Sequence, residues 1–246
     1  MIIGGLQKFS LLDYPDKISA IIFTQGCNFR CHFCHNPMLV LTHEVGKIKN
    51  ISLKDKGKEK GQALISEAGL FHFLKKRQGK LEAVVITGGE PTMHKDLPIF
   101  IKKIKELGFL IKLDTNGTAP EILEELIKKK LLDYIAMDIK AGEDKYEKIV
   151  NSKVNFNKIK KSVKIIKESK LPYEFRTTLA PGLLNKGDIE KIGRLIKGAD
   201  KWYLQKFMSA TDLVNPEFKN KKPFTNKEME EMRRLGEKYV RKCQVR

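Results

Sequence analysis

The segment GCNFRCHFCHNP, residues 26–37, carries three of the chain's four cysteines with the spacing C-x3-C-x2-C. It follows an apolar run, Ile18–Thr24, that is short and rich in β-branched residues, as buried parallel strands are. A secreted disulfide protein would spread its cysteines along the chain. Three cysteines grouped directly after a predicted strand therefore indicate a metal site.

Three kinds of site are compatible with these thiols. A structural zinc site needs four protein ligands, and the fourth would have to be His32, His35 or the distant Cys243. Neighbouring residues do not easily close a tetrahedron around one metal, and nothing in the sequence positions Cys243. Three thiolates alone suit an iron–sulfur cluster with one iron left open. Three buried, unligated thiols are the structural alternative.

Apolar segments alternate with helical patterns through the rest of the chain. Stripes of apolar residues at helical spacing occupy 97–104, 122–127, 159–166 and 189–196, between short apolar runs. This alternation predicts a parallel α/β architecture, either a barrel or a doubly wound sheet, in one domain. The predicted strands are Ile18–Thr24, Glu82–Thr87, Phe109–Asp114, Tyr134–Ile139, Tyr173–Leu179 and Trp202–Phe207.

Three segments depart from the strand–helix rhythm. Residues 44–61 contain six lysines and little apolar surface, which predicts an exposed insert. Residues 209–225 are predicted to form a long loop, and residues 226–243 a C-terminal helix. The segment 44–61 has no cysteine, so it cannot bind a second cluster.

Composition restricts the classes of protein to consider. The 246 residues are 41% hydrophobic and 32% charged, which suffices for one substantial core and excludes overall disorder. No apolar run approaches the roughly 20 residues of a membrane span, and no signal peptide is recognisable, so we predict a cytoplasmic protein. The net charge is +18. Lysines alternate with glutamates on the helices, which favours a solvated surface, with nucleic-acid binding as the alternative.

Polar motifs follow the predicted strands, and ligands of parallel α/β folds bind at the carboxyl ends of strands. Thr87-Gly88-Gly89-Glu90-Pro91 offers two glycines that allow a backbone to approach a ligand and a carboxylate that accepts from an ammonium. An ordinary glycine-rich turn is the alternative. Leu113-Asp114-Thr115-Asn116-Gly117 follows the third strand, and turn chemistry alone could explain it.

Charged residues also interrupt the apolar strands. Asp114 and Asp138 are expected on neighbouring strands, where two carboxylates favour a bound cation or a lysine partner such as Lys140. Arg176 suits the carboxylate of a ligand, or else a salt bridge to Asp138 or Glu174. Gln205 adds a polar group on the last strand, with a surface glutamine as the alternative.

The run Leu6–Pro37, with TGGEP, LDTNG and MDIK downstream, resembles the glycyl-radical-enzyme activating enzymes of the radical S-adenosylmethionine (SAM) superfamily. The nearest branch is that of the anaerobic ribonucleoside-triphosphate reductase activating proteins, related to pyruvate formate-lyase activating enzyme. The resemblance implies an open (β/α)6 partial TIM-type barrel in a single radical SAM domain. It implies reductive cleavage of SAM at a [4Fe–4S] cluster to a 5′-deoxyadenosyl radical, which abstracts a hydrogen from a glycine of the partner enzyme.

The resemblance also assigns roles to residues, and it implies a one-electron donor such as flavodoxin or ferredoxin. It makes Lys140 a candidate catalytic contact to substrate or SAM, and it matches Asp114 and Asp138 to a site for K⁺ or Na⁺. Cluster ligation falls to Cys27, Cys31 and Cys34, and SAM binding to Phe33, His35, Gly88, Gly89, Glu90, Asn116 and Arg176, with Gln205 as a further cofactor-binding candidate.

Two other functions are compatible with the sequence. A radical SAM enzyme that modifies tRNA or a small molecule would account for the positive charge. A non-catalytic zinc-binding module would account for the cysteines without any radical chemistry.

Overall fold

The computed structural model describes residues 1–40, 64–209 and 212–246. The predicted insert at 44–61 lies outside these residues. The strands are β1 (Ile3–Ser10), β2 (Ser19–Thr24), β3 (Ala83–Gly88), β4 (Leu110–Thr115), β5 (Tyr134–Asp138), β6 (Tyr173–Leu179), β7 (Lys201–Lys206) and β8 (Lys242–Val245). The helices are α1 (Pro37–Val40), α2 (Glu67–Lys75), α3 (Leu97–Lys105), α4 (Pro120–Lys128), α5 (Tyr146–Val150), α6 (Phe156–Glu168), α7 (Lys186–Leu195) and α8 (Asn226–Glu237).

All eight strands form one sheet in the order of the sequence. Strands β2 to β8 run parallel to one another, and β1 pairs with β2 in the antiparallel direction. Because β1 and β8 are the two ends of this order, the sheet of the described residues is open. The six predicted strands are β2 to β7, so the prediction of an open, parallel α/β partial barrel is confirmed.

Strand β1 was not predicted, and two C-terminal segments differ from the prediction. The C-terminal helix was expected over 226–243, but α8 ends at Glu237 and Lys242–Val245 add a strand beside β7. Cys243 therefore lies on a strand and is buried. The predicted loop 209–225 contains a short 3-10 helix, Pro216–Asn220, within its described part.

The two faces of the sheet have different chemistry because side chains alternate along each strand. One face packs against the helices through a large apolar core, to which Ile22, Ile86, Leu113, Met137 and Phe175 contribute. The opposite face, called here the inner face, has only a small apolar cluster around Tyr14, Ile21, Ala83, Val85 and Tyr134. The remainder of the inner face carries charged and polar side chains. Among the described residues, no helix is both long and apolar enough to cross a membrane.

Candidate functional site

The cysteine loop is attached to the sheet through the backbone of Gly26. The amide of Gly26 donates to the carbonyl of Leu39 over 2.8 Å, and the carbonyl of Gly26 accepts from the amide of Glu90 over 2.8 Å. A Cβ on Gly89 would lie 1.9 Å from that carbonyl oxygen, and one on Gly88 would lie 2.4 Å from the amide nitrogen of Thr24. The glycine pair is thus needed where the turn after β3 meets the end of β2 and the cysteine loop, and both glycines also line the cavity at the carboxyl end of the sheet.

The carboxylate of Glu90 is fully buried and joins the ends of β3 and β4. Its Oε1 accepts from the hydroxyl of Thr115 at 2.7 Å and from both the amide and the hydroxyl of Thr92. Its Oε2 accepts from the amide of Asn116 at 2.6 Å. Burial raises the pKa of Glu90, and these four donors oppose the rise. Because Oε2 has one donor, it retains capacity for another, such as an ammonium group.

The three clustered cysteines line one cavity of about 190 Å³ at the carboxyl end of the sheet. Burial raises the pKa of Cys27 to about 12 and that of Cys31 to about 11, so both thiols are protonated at neutral pH in the metal-free chain. Metal binding would release these protons. Cys243 lies outside the residues that line this cavity.

A chain of ion pairs borders the cavity: Asp114, Asp138 and Lys140 line it, whereas Arg176, which joins the two aspartates, is outside the lining residues. The guanidinium of Arg176 donates to Asp138 through Nε and to Asp114 through Nη1, each over 2.9 Å. The ammonium of Lys140 donates to Asp138 over 3.1 Å. Arg176 and Asp138 are paired in register on β6 and β5. The salt-bridge alternative for Arg176 is therefore what the structure shows.

These pairs shift the pKa values of their members. Burial alone would raise the pKa of Asp138, but the charges of Arg176 and Lys140 outweigh it and hold the value at about 2. Burial alone would lower the pKa of Lys140, but Asp138 outweighs it and raises the value. Both groups remain charged at neutral pH, so neither is suited to exchange a proton with a substrate.

The other predicted site residues lie in or beside the cavity. Phe33 and His35 line it, and the ring of Phe33 lies under the ammonium of Lys140 at 5.8 Å. The ring of His35 stacks on Phe207, and burial lowers its pKa. Asn116 lines the cavity and donates to the side chain of Asn28 over 2.8 Å.

Gln205 is separated from the cavity by one side chain. Thr178 lines the cavity and its hydroxyl donates to Gln205 over 3.3 Å. Gln205 itself is outside the lining residues.

The segment after β7 covers the outside of the cysteine loop. The amides of Val214 and Asn215 donate to the carbonyls of Cys34 and His32, over 3.2 and 3.1 Å. The ring of Phe218 stacks on that of His32 at 5.6 Å. The described part of the predicted loop 209–225 is thus a packed support of the cysteine loop.

Several residues of this site were not predicted from the sequence. Asn28 accepts from Asn116, and Thr115 donates to Glu90. Both residues lie within the predicted motifs, but no role was predicted for them. Lys112 is buried on β4 beside Asp114. Lys112 could have been predicted from the sequence, since burying an unpaired lysine in an apolar strand costs as much free energy as burying an unpaired aspartate.

The set of donors fits an iron–sulfur cluster. Three thiols meet at one cavity, and polar groups for a second ligand line the same space. Within the described ranges, no group of His, Cys, Asp or Glu side chains is arranged to hold a single metal ion. Cys27, Cys31 and Cys34 are the residues that would hold a cluster, which would supply one-electron chemistry.

We expect Glu90→Gln to destabilise the cluster-free protein by about 1–3 kcal/mol, because an amide nitrogen would face the donor of Asn116 or of Thr92 and Thr115. Urea unfolding measures this change. Glu125→Gln is the matched control, since Glu125 is an exposed helix residue paired with Lys129, and its loss should cost less than about 0.5 kcal/mol. Equal stability of the wild type and Glu90→Gln would contradict the buried-acceptor role.

Comparison with known proteins identifies the family of this site. The Radical SAM superfamily matches residues 21–196. A Methanocaldococcus jannaschii protein with the provisional name glycyl-radical enzyme activating enzyme is 36% identical over 250 residues, covering 100% of this chain and 95% of that protein. The pyruvate formate-lyase-activating enzyme of Streptococcus mutans is 28% identical, covering 80% of this chain and 72% of that enzyme.

Solved structures of other proteins share the fold of this chain. The structure of Streptococcus suis SuiB bound to S-adenosylmethionine superposes with a TM-score of 0.58 and 16% identity, covering 92% of this chain and 48% of that one. The family match spans most of the strands, and the open parallel sheet carries three thiols at its carboxyl end. The chain therefore belongs to the radical SAM superfamily and uses a [4Fe–4S] cluster and SAM.

Proposed function

We propose that this enzyme installs a glycyl radical on a partner enzyme. The observation that carries the proposal is the 36% identity that extends over the whole chain and 95% of the relative named for this activity. Similarity to a pyruvate formate-lyase-activating enzyme over 80% of the chain supports the same class of substrate. Anaerobic ribonucleotide reductase is the example of a partner that the sequence resemblance suggests.

A cluster held by Cys27, Cys31 and Cys34, with SAM bound, would supply one-electron chemistry: one electron would cleave the C5′–S bond of SAM to give methionine, and the 5′-deoxyadenosyl group would take one hydrogen atom from the glycine Cα, to give 5′-deoxyadenosine and a glycyl radical. The electron comes from a donor of the flavodoxin or ferredoxin class. The residues of this chain bind and orient the reactants. No proton shuttle is needed, which agrees with the permanently charged Asp138 and Lys140.

The residues around the cavity divide these binding tasks. The free capacity of Glu90 Oε2 and the polar side chain of Asn116 suit the amino end of SAM, beside the Gly88–Gly89 turn. Arg176 orients the carboxylates of Asp114 and Asp138. Phe33 and His35 line the cavity as apolar and aromatic surface for an adenine, with Gln205 behind Thr178 at its rim. Lys140, over Phe33, is placed to contact SAM or substrate.

The open sheet supports a macromolecular substrate. Strands β1 and β8 end the sheet of the described residues without closing it, which leaves a lateral opening between these two strands. A glycine-containing loop of a folded partner needs such a lateral entrance. We propose that the partner is met in the cytoplasm.

Modification of tRNA is the second candidate, and the net charge of +18 is the observation that favours it. Membership of the radical SAM superfamily removes the zinc-binding module from consideration. The two radical functions differ in the origin of the hydrogen atom that the enzyme removes.

We expect deuterium from the α position of a partner's glycine to appear in 5′-deoxyadenosine. The experiment mixes the reconstituted enzyme, SAM, a reductant and a glycyl radical enzyme of the same organism labelled with α-deuterated glycine. Electron paramagnetic resonance should show a glycyl radical, and mass spectrometry a labelled 5′-deoxyadenosine. The cluster-free Cys34→Ala variant is the control. Deuterium transfer from labelled tRNA, with none from protein, would contradict the proposal.

We also expect Cys243→Ala to retain about four irons per chain, whereas Cys27→Ala, Cys31→Ala and Cys34→Ala lose the cluster. Cys243 is buried on β8 and lies outside the cavity that the other three line. Iron and sulfide analysis after anaerobic reconstitution measures the difference. Loss of the cluster in Cys243→Ala, with an unchanged far-ultraviolet circular dichroism spectrum, would refute the ligand assignment.

A further inference from the structure

Lys112 is a buried lysine on the inner face of the sheet, with only 2% of its surface exposed. Its ammonium donates to the backbone carbonyl of Asp13 and lies over the ring of Tyr134 at 5.5 Å. Two carboxylates are close to it, Asp114 Oδ1 at 3.6 Å and Glu174 Oε1 at 3.9 Å. The ammonium is therefore surrounded by three oxygen atoms and an aromatic face.

The oxygen of Asp114 that faces Lys112 is the one that Arg176 does not use. Arg176 binds Oδ2 of Asp114, and Oδ1 is buried without a hydrogen-bond partner. A buried carboxylate oxygen without a donor is stable only beside a positive charge. Lys112 supplies that charge from the protein itself.

The charges along this part of the inner face alternate in sign. Each carboxylate lies between two cations, so the described residues form a continuous chain of ion pairs from the end of β8 to the cavity. Its members, in order, are Arg246, Glu174, Lys112, Asp114, Arg176, Asp138 and Lys140. Four cations accompany three carboxylates, and the excess charge is already positive.

This arrangement does not fit an additional K⁺ or Na⁺. A small cation between Asp114 and Asp138 would occupy the space of the Arg176 guanidinium and would be repelled by Lys112 and Lys140. The sequence favoured such an ion because two carboxylates on neighbouring strands repel each other. In the structure, Arg176 and Lys112 remove that repulsion.

We propose that the buried ammonium of Lys112, together with Arg176, takes the place of a monovalent cation in the SAM site. Lys112 is a positioning residue: it acts on SAM through Asp114 and does not touch the reacting atoms. The proposal rests on SAM binding by this family member and not on the identity of the partner. A failure of glycyl-radical formation would leave it unaffected.

The first test uses the wild-type enzyme loaded with its cluster. SAM affinity is measured by isothermal titration calorimetry in potassium, sodium and choline chloride at equal ionic strength. The dissociation constants should agree within about twofold, since the protein supplies the charge. A loss of affinity of about fivefold or more in choline, which is too large to enter the site, would overturn the proposal.

The second test converts Lys112 to alanine, which removes the charge and leaves space among the three oxygens. In choline chloride, SAM affinity of Lys112→Ala should fall about tenfold or more, and potassium chloride should restore most of it. The melting temperature of cluster-free Lys112→Ala should also rise with K⁺ and not with choline. This second readout does not depend on the cluster or on activity.

Lys201→Ala is the matched control. The ammonium of Lys201 lies over the same ring of Tyr134, at 5.8 Å, without the Asp114 and Glu174 partners that Lys112 has. Its SAM affinity should not respond to the cation. Lys112→Ala that binds SAM like the wild type in every salt, or that is not restored by K⁺, would overturn the proposal. If Lys112→Ala does not fold, the wild-type measurement still decides, and Lys112→Arg should remain independent of the cation.

Discussion

The contact between the backbone of Gly26 and the turn Gly88–Glu90 fixes the cysteine loop to the sheet. It requires two residues without a side chain, because a Cβ on either glycine would overlap protein backbone. The carboxylate of Glu90 then extends the contact to the end of β4 through Thr115 and Asn116. These contacts hold three segments that are far apart in the sequence around one cavity: the cysteine loop, the turn Gly88–Glu90 and the motif Leu113–Gly117.

The inner face of the sheet shows why this cavity can be polar without destabilising the fold. The face toward the helices supplies most of the buried apolar surface, so the inner face is free to carry charge. The desolvation free energy of isolated buried charges would be prohibitive. The chain offsets it by pairing each aspartate or glutamate with lysine or arginine. Lys112 and Glu174 lie deepest, and Asp138 and Lys140 border the cavity. The same pairs that stabilise the inner face also fix the positions of Asp114, Asp138 and Lys140 at the cavity.

Much of the fold follows from the sequence, and the departures have physical causes. The six central strands were predicted within one residue at each end, because strands buried on both faces leave continuous apolar runs. Strand β1 contains two glycines and exposed side chains, and β8 has four residues with one buried, so neither carries such a pattern. The site residues at strand ends were predicted from motifs, whereas the partners of Lys112 and Asn28 became evident only from the structure. Side-chain pairing across strands depends on register, which the sequence does not specify.

We expect the three-cysteine cavity to hold a [4Fe–4S] cluster with one iron available to SAM. Mössbauer spectroscopy of the ⁵⁷Fe-reconstituted protein, before and after addition of SAM, tests it most directly. One iron of the four should change its isomer shift when SAM is added, since three thiolates leave one iron open. Four equivalent irons that do not respond to SAM would contradict it.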